Sequence, residues 1–343
     1  MKKNVYLLFV ILLVSVLTAC TTPAISTELP PEGILFLSDR DGKPEFSVIS
    51  LNGGEVVTIP FPGLPVNAAI EGYSWAPQAQ KWFFSLTTEQ GNDIYSLDAN
   101  GQNLNKITDT PQIIKTPIFV SPDGNMVAFV GYNLNADVMV MKTNGNNYLN
   151  LTPYQSSDNL PSWTADSVHI VFRTDYNGLP NIYMIDPNGD NLRNVSNGTG
   201  VDGLYGLSAD GSKIAFDSDR NGARDIFIAD LGQDNYTNIT QHPARDVNPK
   251  WSPDGKYILF QSDRDGGEDL YLVNLADLST IRLTNSPETG ELNPLWCPDS
   301  QCIIFNANNN GQQDIFRLNL DGSIINLTNS PVDDYSPEIW SRN

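Results

Sequence analysis

Apolar residues in this chain come in short runs punctuated by Gly, Asn, Asp and Pro, and no long helical periodicity appears after residue 20. The stretch from Trp251 to Leu275 sets the pattern. Tyr257-Ile258-Leu259-Phe260 and Leu270-Tyr271-Leu272-Val273 are too short for a typical helix and read as buried strands. Ser252-Pro253-Asp254-Gly255 lies between Trp251 and the first of them. Pro presets φ, Asp bonds its own backbone, and Gly takes the position that a side chain would crowd. Asp263-Arg264-Asp265-Gly266-Gly267 is a second turn, and Thr280 to Thr284 supplies another strand. With the strand that carries Trp251, the unit is a four-stranded antiparallel meander.

The unit recurs. Steps of 44 residues back from Trp251 land on Leu207, Trp163, Phe119 and Trp75, and forward steps land on Trp296, after one extra residue, and Trp340. Variants of one turn follow these anchors, from SPDG at 121–124 and 252–255 to CPDS at 297–300. Four strands per period of about 40–45 residues mean propeller blades. Residues 34–59 supply three strands and lack an opening anchor strand, while Pro337 to Ser341 supply that strand at the other end of the chain. The first blade therefore takes three strands from the start and one from the end, which leaves no free sheet edge in the ring. The count is seven: an all-β, seven-bladed propeller.

Ahead of it lies an address. Met1-Lys2-Lys3 is basic, Val5 to Leu17 is apolar, and Leu17-Thr18-Ala19-Cys20 follows. The apolar run is short for a membrane span, which needs ~20 residues, and has the layout of a secretory signal. Its end resembles a bacterial lipobox, which implies lipidation at Cys20. Residues 1–19 then form a lipoprotein signal peptide, 20–32 a polar, Pro-rich tether and 33–343 the propeller. The expected location is the cell envelope, outside the cytoplasm, with membrane attachment through the lipid alone and a monomeric chain. The net charge is −20, from 20 basic and 40 acidic residues, and becomes −22 when Lys2 and Lys3 are cleaved away. That balance disfavours nucleic acid, which requires a basic footprint, and allows a cation or a basic partner.

The unit P-x-W-S-P-D-G-x-x-I-x-F-x-S-D-R-x-G-x-x-D-I-Y resembles the WD-like repeat of the TolB-like propellers of the periplasm, over residues 33 to 341. The resemblance is specific for fold and says little of function, because propellers host binding, scaffolding and catalysis alike. TolB itself carries six blades behind an α/β domain, whereas this chain reads as seven.

Candidate chemistry is sparse. A polar residue stands 18 positions after each anchor: Asp93, Asp137, Asn181, Asp225, Asp269 and Asp314, with Glu45 in the split blade. Arg40, Arg220 and Arg264 sit five residues earlier in three blades. A ring of metal sites is one reading. Carboxylates that accept loop N–H groups and pair with the Arg across the turn is the preferred one, and no metal or cofactor is expected. His169 reads as a strand residue and His242 as a loop residue; no nucleophile, base and orienter come together. Cys297 and Cys302 flank a four-residue hairpin loop, where cross-strand Cβ atoms lie about 4.5–5.5 Å apart, and an oxidising compartment favours a disulfide over a C-x4-C metal pair.

Five residues before the anchors stand Ile70, Ile114, Asp158, Asp202, Asp246, Glu291 and Tyr335, with Asp333 and Asp334 beside the last. Four consecutive acids form an arc, and the opposite side is apolar or carries Lys115. Either the arc (Asp158, Asp202, Asp246, Glu291, Asp334 and Tyr335) binds a cation or a basic peptide at the channel mouth, or each acid caps its own loop. The expected function is binding of a protein, peptide or glycan ligand, with a carbohydrate-active enzyme or a purely structural scaffold as alternatives.

Overall fold

The computed structural model describes residues 29–40, 45–59, 64–65, 67–233, 235–285 and 292–341. Cys20 and Glu291 lie outside the described residues. The fold is a propeller of seven four-stranded antiparallel sheets, as the repeat predicts. In blade 1 the strands Glu32–Ser38, Glu45–Ile49 and Val57–Thr58 are joined by Asp334–Ser341 from the far end of the chain. The innermost strands of blades 2 to 7 are Ala69–Ala76, Ile114–Val120, Asp158–Trp163, Asp202–Leu207, Asp246–Trp251 and Leu292–Trp296. Packing into the propeller already includes residues before the expected start at 33, because Leu29 is buried in the core of blades 1 and 2 and strand pairing includes Glu32.

The runs are apolar on both faces because each middle strand is covered on both faces by neighbouring blades. Seven apolar clusters result, one at each interface around the ring. Between blades 6 and 7, Leu259, Leu270 and Leu272 meet Trp296, Ile303 and Phe305. Between blades 7 and 1, Ile304 and Ile315 meet Ile34, Phe36 and Ile49. The anchors stitch blades together in another way, for Trp163 Nε1 donates to the Phe119 carbonyl at 3.0 Å and Trp296 Nε1 to that of Lys250 at 3.2 Å.

The turn after each anchor has a repeated mechanism. Ser252 Oγ donates to Asp254 at 2.7 Å and accepts the Tyr257 N–H at 3.0 Å, while Gly255 sits at φ +71. Ser121, Thr164 and Ser208 make the equivalent bond to Asp123, Asp166 and Asp210, each at 2.6 Å. This turn and the strand register correct two anchors. Trp251 pairs with Ile258, and the same place is held by Val120 against Val127 and by Ile339 against Ile34. The anchors of blades 3 and 1 are therefore Val120 and Ile339, one residue away from Phe119 and Trp340. The blade 3 and blade 1 positions five residues earlier become Lys115 and Asp334.

Candidate functional site: the central channel

The described acids of the arc do not face solvent. Asp158, Asp202, Asp246 and Asp334 are all buried, so they do not form an accessible cation site at the mouth. Asp202 pairs with Arg220 at 2.9 Å, Asp246 with Arg264 at 2.9 Å and Asp334 with Arg40 at 2.5 Å. The Arg of each S-D-R turn thus reaches the innermost strand of its own blade, not the acid 18 residues after the anchor. Arg264 also lies over the Phe260 and Tyr271 rings, at 5.2 and 4.8 Å, which fixes the guanidinium plane. Asp158 has no such arginine, since Tyr176 stands where Arg264 does. It accepts from Ser156 at 3.0 Å, and burial raises its pKa above the usual carboxylate range. In blade 3 the place is taken by Lys115, fully buried, whose Nζ donates to the carbonyls of Asn92, Thr110 and Ile113 at 2.7 Å each. Tyr335 is half-buried and lines the channel; burial raises its pKa to about 12.

The second ring of acids is structural as well. Asp93, Asp225 and Asp314 accept the backbone N–H groups of Thr110, His242 and Ser330 at 3.0, 3.0 and 2.8 Å. A Thr two residues beyond the outermost strand serves each: Thr108 donates to Asp93 at 2.7 Å and accepts from the Ile94 N–H at 2.9 Å. Asn-x-Thr at the end of that strand, Asn238–Thr240 and Asn326–Thr328, is a legible sign of this lock. His169 pairs with Asp186 at 2.7 Å in the same blade, and His242 Nδ1 accepts from the Ala244 N–H at 3.1 Å. Cys297 and Cys302 form a disulfide with Cα atoms 5.2 Å apart. Asp299 is grouped with them in space, but bonded sulfurs offer no thiolate to a metal.

What remains open is the channel, a cavity of about 570 Å³ bounded by the innermost strands. Each strand is kinked by a bulge, where the pairing register shifts, for instance between Val247 and Lys250. Leu160, Asn248, Asn293 and Ser336 take left-handed φ between 52 and 55 there. One residue before the corrected anchors stand Ser74, Phe119, Ser162, Gly206, Lys250, Leu295 and Glu338. Five are uncharged. Lys250 and Glu338, a base and an acid, stand at the same height, two blades apart, and both line the cavity. Both are half-buried, and neither has an ion-pair partner among the described residues. Burial lowers the pKa of Lys250. Burial raises that of Glu338 to about 8, against the opposing bond from the Trp75 backbone N–H. Beside Glu338, the Tyr73 hydroxyl donates to the Ser336 carbonyl. The sequence reading missed this pair because Trp340 had been taken as the anchor, which set Glu338 one step off the register of Lys250.

Residues 190–343 match the family described as TolB beta propeller domain. Over those residues the propeller resembles that domain. TolB from Acinetobacter baumannii is similar with a TM-score of 0.58 and 16% identity, over 90% of this chain and 82% of that one. An oligogalacturonate lyase in complex with manganese gives a TM-score of 0.70 at 16% identity, over 83% of this chain and 85% of the lyase. The oligogalacturonate lyase from Vibrio parahaemolyticus gives 0.67 at 14% identity, over 83% and 86%. At these identities the likeness is one of fold. No curated protein matches the chain significantly. Among the described residues, no helix is long and apolar enough to cross a membrane.

Proposed function

We propose that this TolB-like propeller is a lipid-anchored binding module of the cell envelope whose protein, peptide or glycan ligand enters the central channel. One observation carries the reading: an open cavity of about 570 Å³ with the ionisable side chains of Lys250 and Glu338 at one height on its wall, neither of them in an ion pair among the described residues. A partly desolvated group with a shifted pKa in a concave site marks a place where binding energy is available. Asp158, Asp202, Asp246 and Asp334 do not select the ligand, since arginines or hydroxyls already hold them.

The test places a photo-crosslinking residue at Leu295, on the channel wall, and at Ile281, 52% exposed on the outermost strand of blade 6. Irradiation of intact cells is expected to give an adduct at Leu295 that Lys250→Ala weakens. Adducts at Ile281 alone overturn the reading. The anchor is tested separately: Cys20→Ala is expected to move the protein from the membrane to the soluble fraction, and retention in the membrane counts against lipidation. Release of sugar fragments from a polysaccharide panel would favour the enzymatic alternative over binding.

A further inference from the structure

A second cavity, of about 230 Å³, opens among blades 4, 5 and 6 and shares Leu204 with the channel. In a chain of net charge −20 it is lined by three arginines, Arg173, Arg224 and Arg245, and a single acid, Asp217. The acid is already engaged. Its Oδ1 accepts the backbone N–H groups of Leu204 and Asn248 at 2.8 and 3.4 Å, and its Oδ2 pairs with Arg224 at 2.5 Å. Gly203 makes room for this contact, since a Cβ there would stand 2.1 Å from Asp217 Oδ2 and 2.5 Å from Arg224 Nη1. Arg224 is therefore a neutralised, fixed wall.

Arg173 is different. Its Nε donates to the Asp202 carbonyl at 2.8 Å, and no carboxylate among the described residues pairs with its guanidinium. It is half-buried, so its charge is only partly repaid by water. Arg245 stands at the rim, 57% exposed, in a surface pair with Glu268 at 3.2 Å. Such a pair contributes little and leaves the side chain free to turn inward. The remaining lining is aliphatic, from Leu160, Leu204 and Val247, with no aromatic ring.

We infer that this cavity binds a carboxylate of an acidic peptide segment, held by Arg173 and Arg245 with its aliphatic neighbour on Leu204. The inference rests on the channel reading above, because Leu204 belongs to both cavities. A planar guanidinium matches a carboxylate with two parallel hydrogen bonds, and Arg173 lacks a carboxylate of its own. The aliphatic floor suits a peptide side chain better than a sugar ring, which stacks on aromatic faces.

The experiment uses the full-length protein in detergent and ligand-observed NMR. The probes are N-acetyl-glutamate amide, its glutamine counterpart and D-galacturonate. The glutamate probe is expected to bind at least fivefold more tightly than the glutamine probe. Arg173→Gln with Arg245→Gln is expected to remove that preference while the protein stays folded, as read by its circular dichroism and a cooperative melt. Arg224 is left alone, since its loss would strand Asp217. Equal binding of the two amides overturns the inference, as does a preference that survives the double variant. Arginine-dependent binding of D-galacturonate without the glutamate probe overturns the peptide assignment in favour of a sugar acid. If the Leu295 adduct persists unchanged in the double variant, the carboxylate inference falls and the channel reading stands. If the wild type gives no adduct at Leu295, the channel reading falls, and the probe titration reports on the arginines independently.

Discussion

Asp158 and Asp246 occupy one position in two blades and have opposite circumstances. Asp246 has the Arg264 guanidinium on both of its oxygens at 2.9 Å; Asp158 has hydroxyls only, and burial raises its pKa. A folded-state pKa above the unfolded value favours the protonated fold. The stability this contributes is present below the unfolded value of about 4 and is lost as pH rises through the folded value. Asp158→Asn, which keeps the shape and removes the charge, is expected to raise the melting temperature at pH 7 by about 1–2 °C, roughly what 1 kcal/mol does in a domain of about 310 residues. The gain should vanish near pH 4; a gain that is independent of pH refutes the buried-charge account. Glu338 follows the same sign with a different window. Its folded pKa of about 8 means that stability falls between about pH 4.5 and 8 as the unfolded form ionises first. Thermal melts of Glu338→Gln against the wild type from pH 5 to 9 are expected to diverge in favour of the variant as pH rises. Parallel curves would show that the channel hydrates Glu338 fully.

At the scale of the element, the strands and turns were legible because their causes are local. Buried strands show as apolar runs, and Ser-x-Asp-Gly carries its own hydrogen bonds within five residues. Register was less legible. A Trp at position 340 outweighed the turn and strand pattern that make Ile339 the anchor, and one residue of slip concealed both the Asp334–Arg40 pair and the kinship of Lys250 with Glu338. The site was least legible, because a charge in a channel acquires its character from walls contributed by several blades. The pairs Asp202–Arg220 and Asp246–Arg264 share a separation of 18 residues, a constant that could have revealed them. The disulfide belongs to this scale too, for Cys297 and Cys302 replace the Ser252 and Tyr257 positions of the neighbouring turn. It closes a separation of 5 residues, so the chain-entropy model assigns it about 2 kcal/mol. Cys297→Ala is expected to lower denaturant stability by about that amount and to leave the propeller folded. A variant that fails to fold would mean that the bond directs assembly as well as tightening one turn.

The whole molecule depends on where its two ends meet. Strand Asp334–Ser341 lies antiparallel to Glu32–Ser38, with Ser341 opposite Glu32 and Asp334 opposite Ser38. It brings Trp340 against Trp75 and Trp82 at 5.8 and 6.0 Å, supplies Asp334 to Arg40, and gives Tyr73 the Ser336 carbonyl. Deleting residues 334–343 removes all of these and leaves the long inner edge of blade 1 unpaired, a template for aggregation. Loss of one buried Trp alone costs about 3–5 kcal/mol. At ~1.5 °C per kcal/mol for a domain of about 310 residues, the truncated protein is expected to melt at least ~5 °C lower or to aggregate during size-exclusion chromatography. That result alone would not separate lost residues from lost closure. A circular permutant does. It begins at Asp334, runs to Ser341, joins Glu32 through a short Asn-Gly turn and ends at Asp333. Because Ser341 faces Glu32, the new link makes an ordinary hairpin, and blade 1 becomes a continuous meander like the other six. Against a parent that also starts at Glu32, and so lacks the buried Leu29 as the permutant does, it keeps every contact of residues 32–341 and abolishes only the bond between 333 and 334. It is expected to fold as a monomer and melt with the parent. If it is as unstable as the truncation, the C-terminal strand does more than close the ring. If the truncation itself melts unchanged, the ring does not depend on that closure.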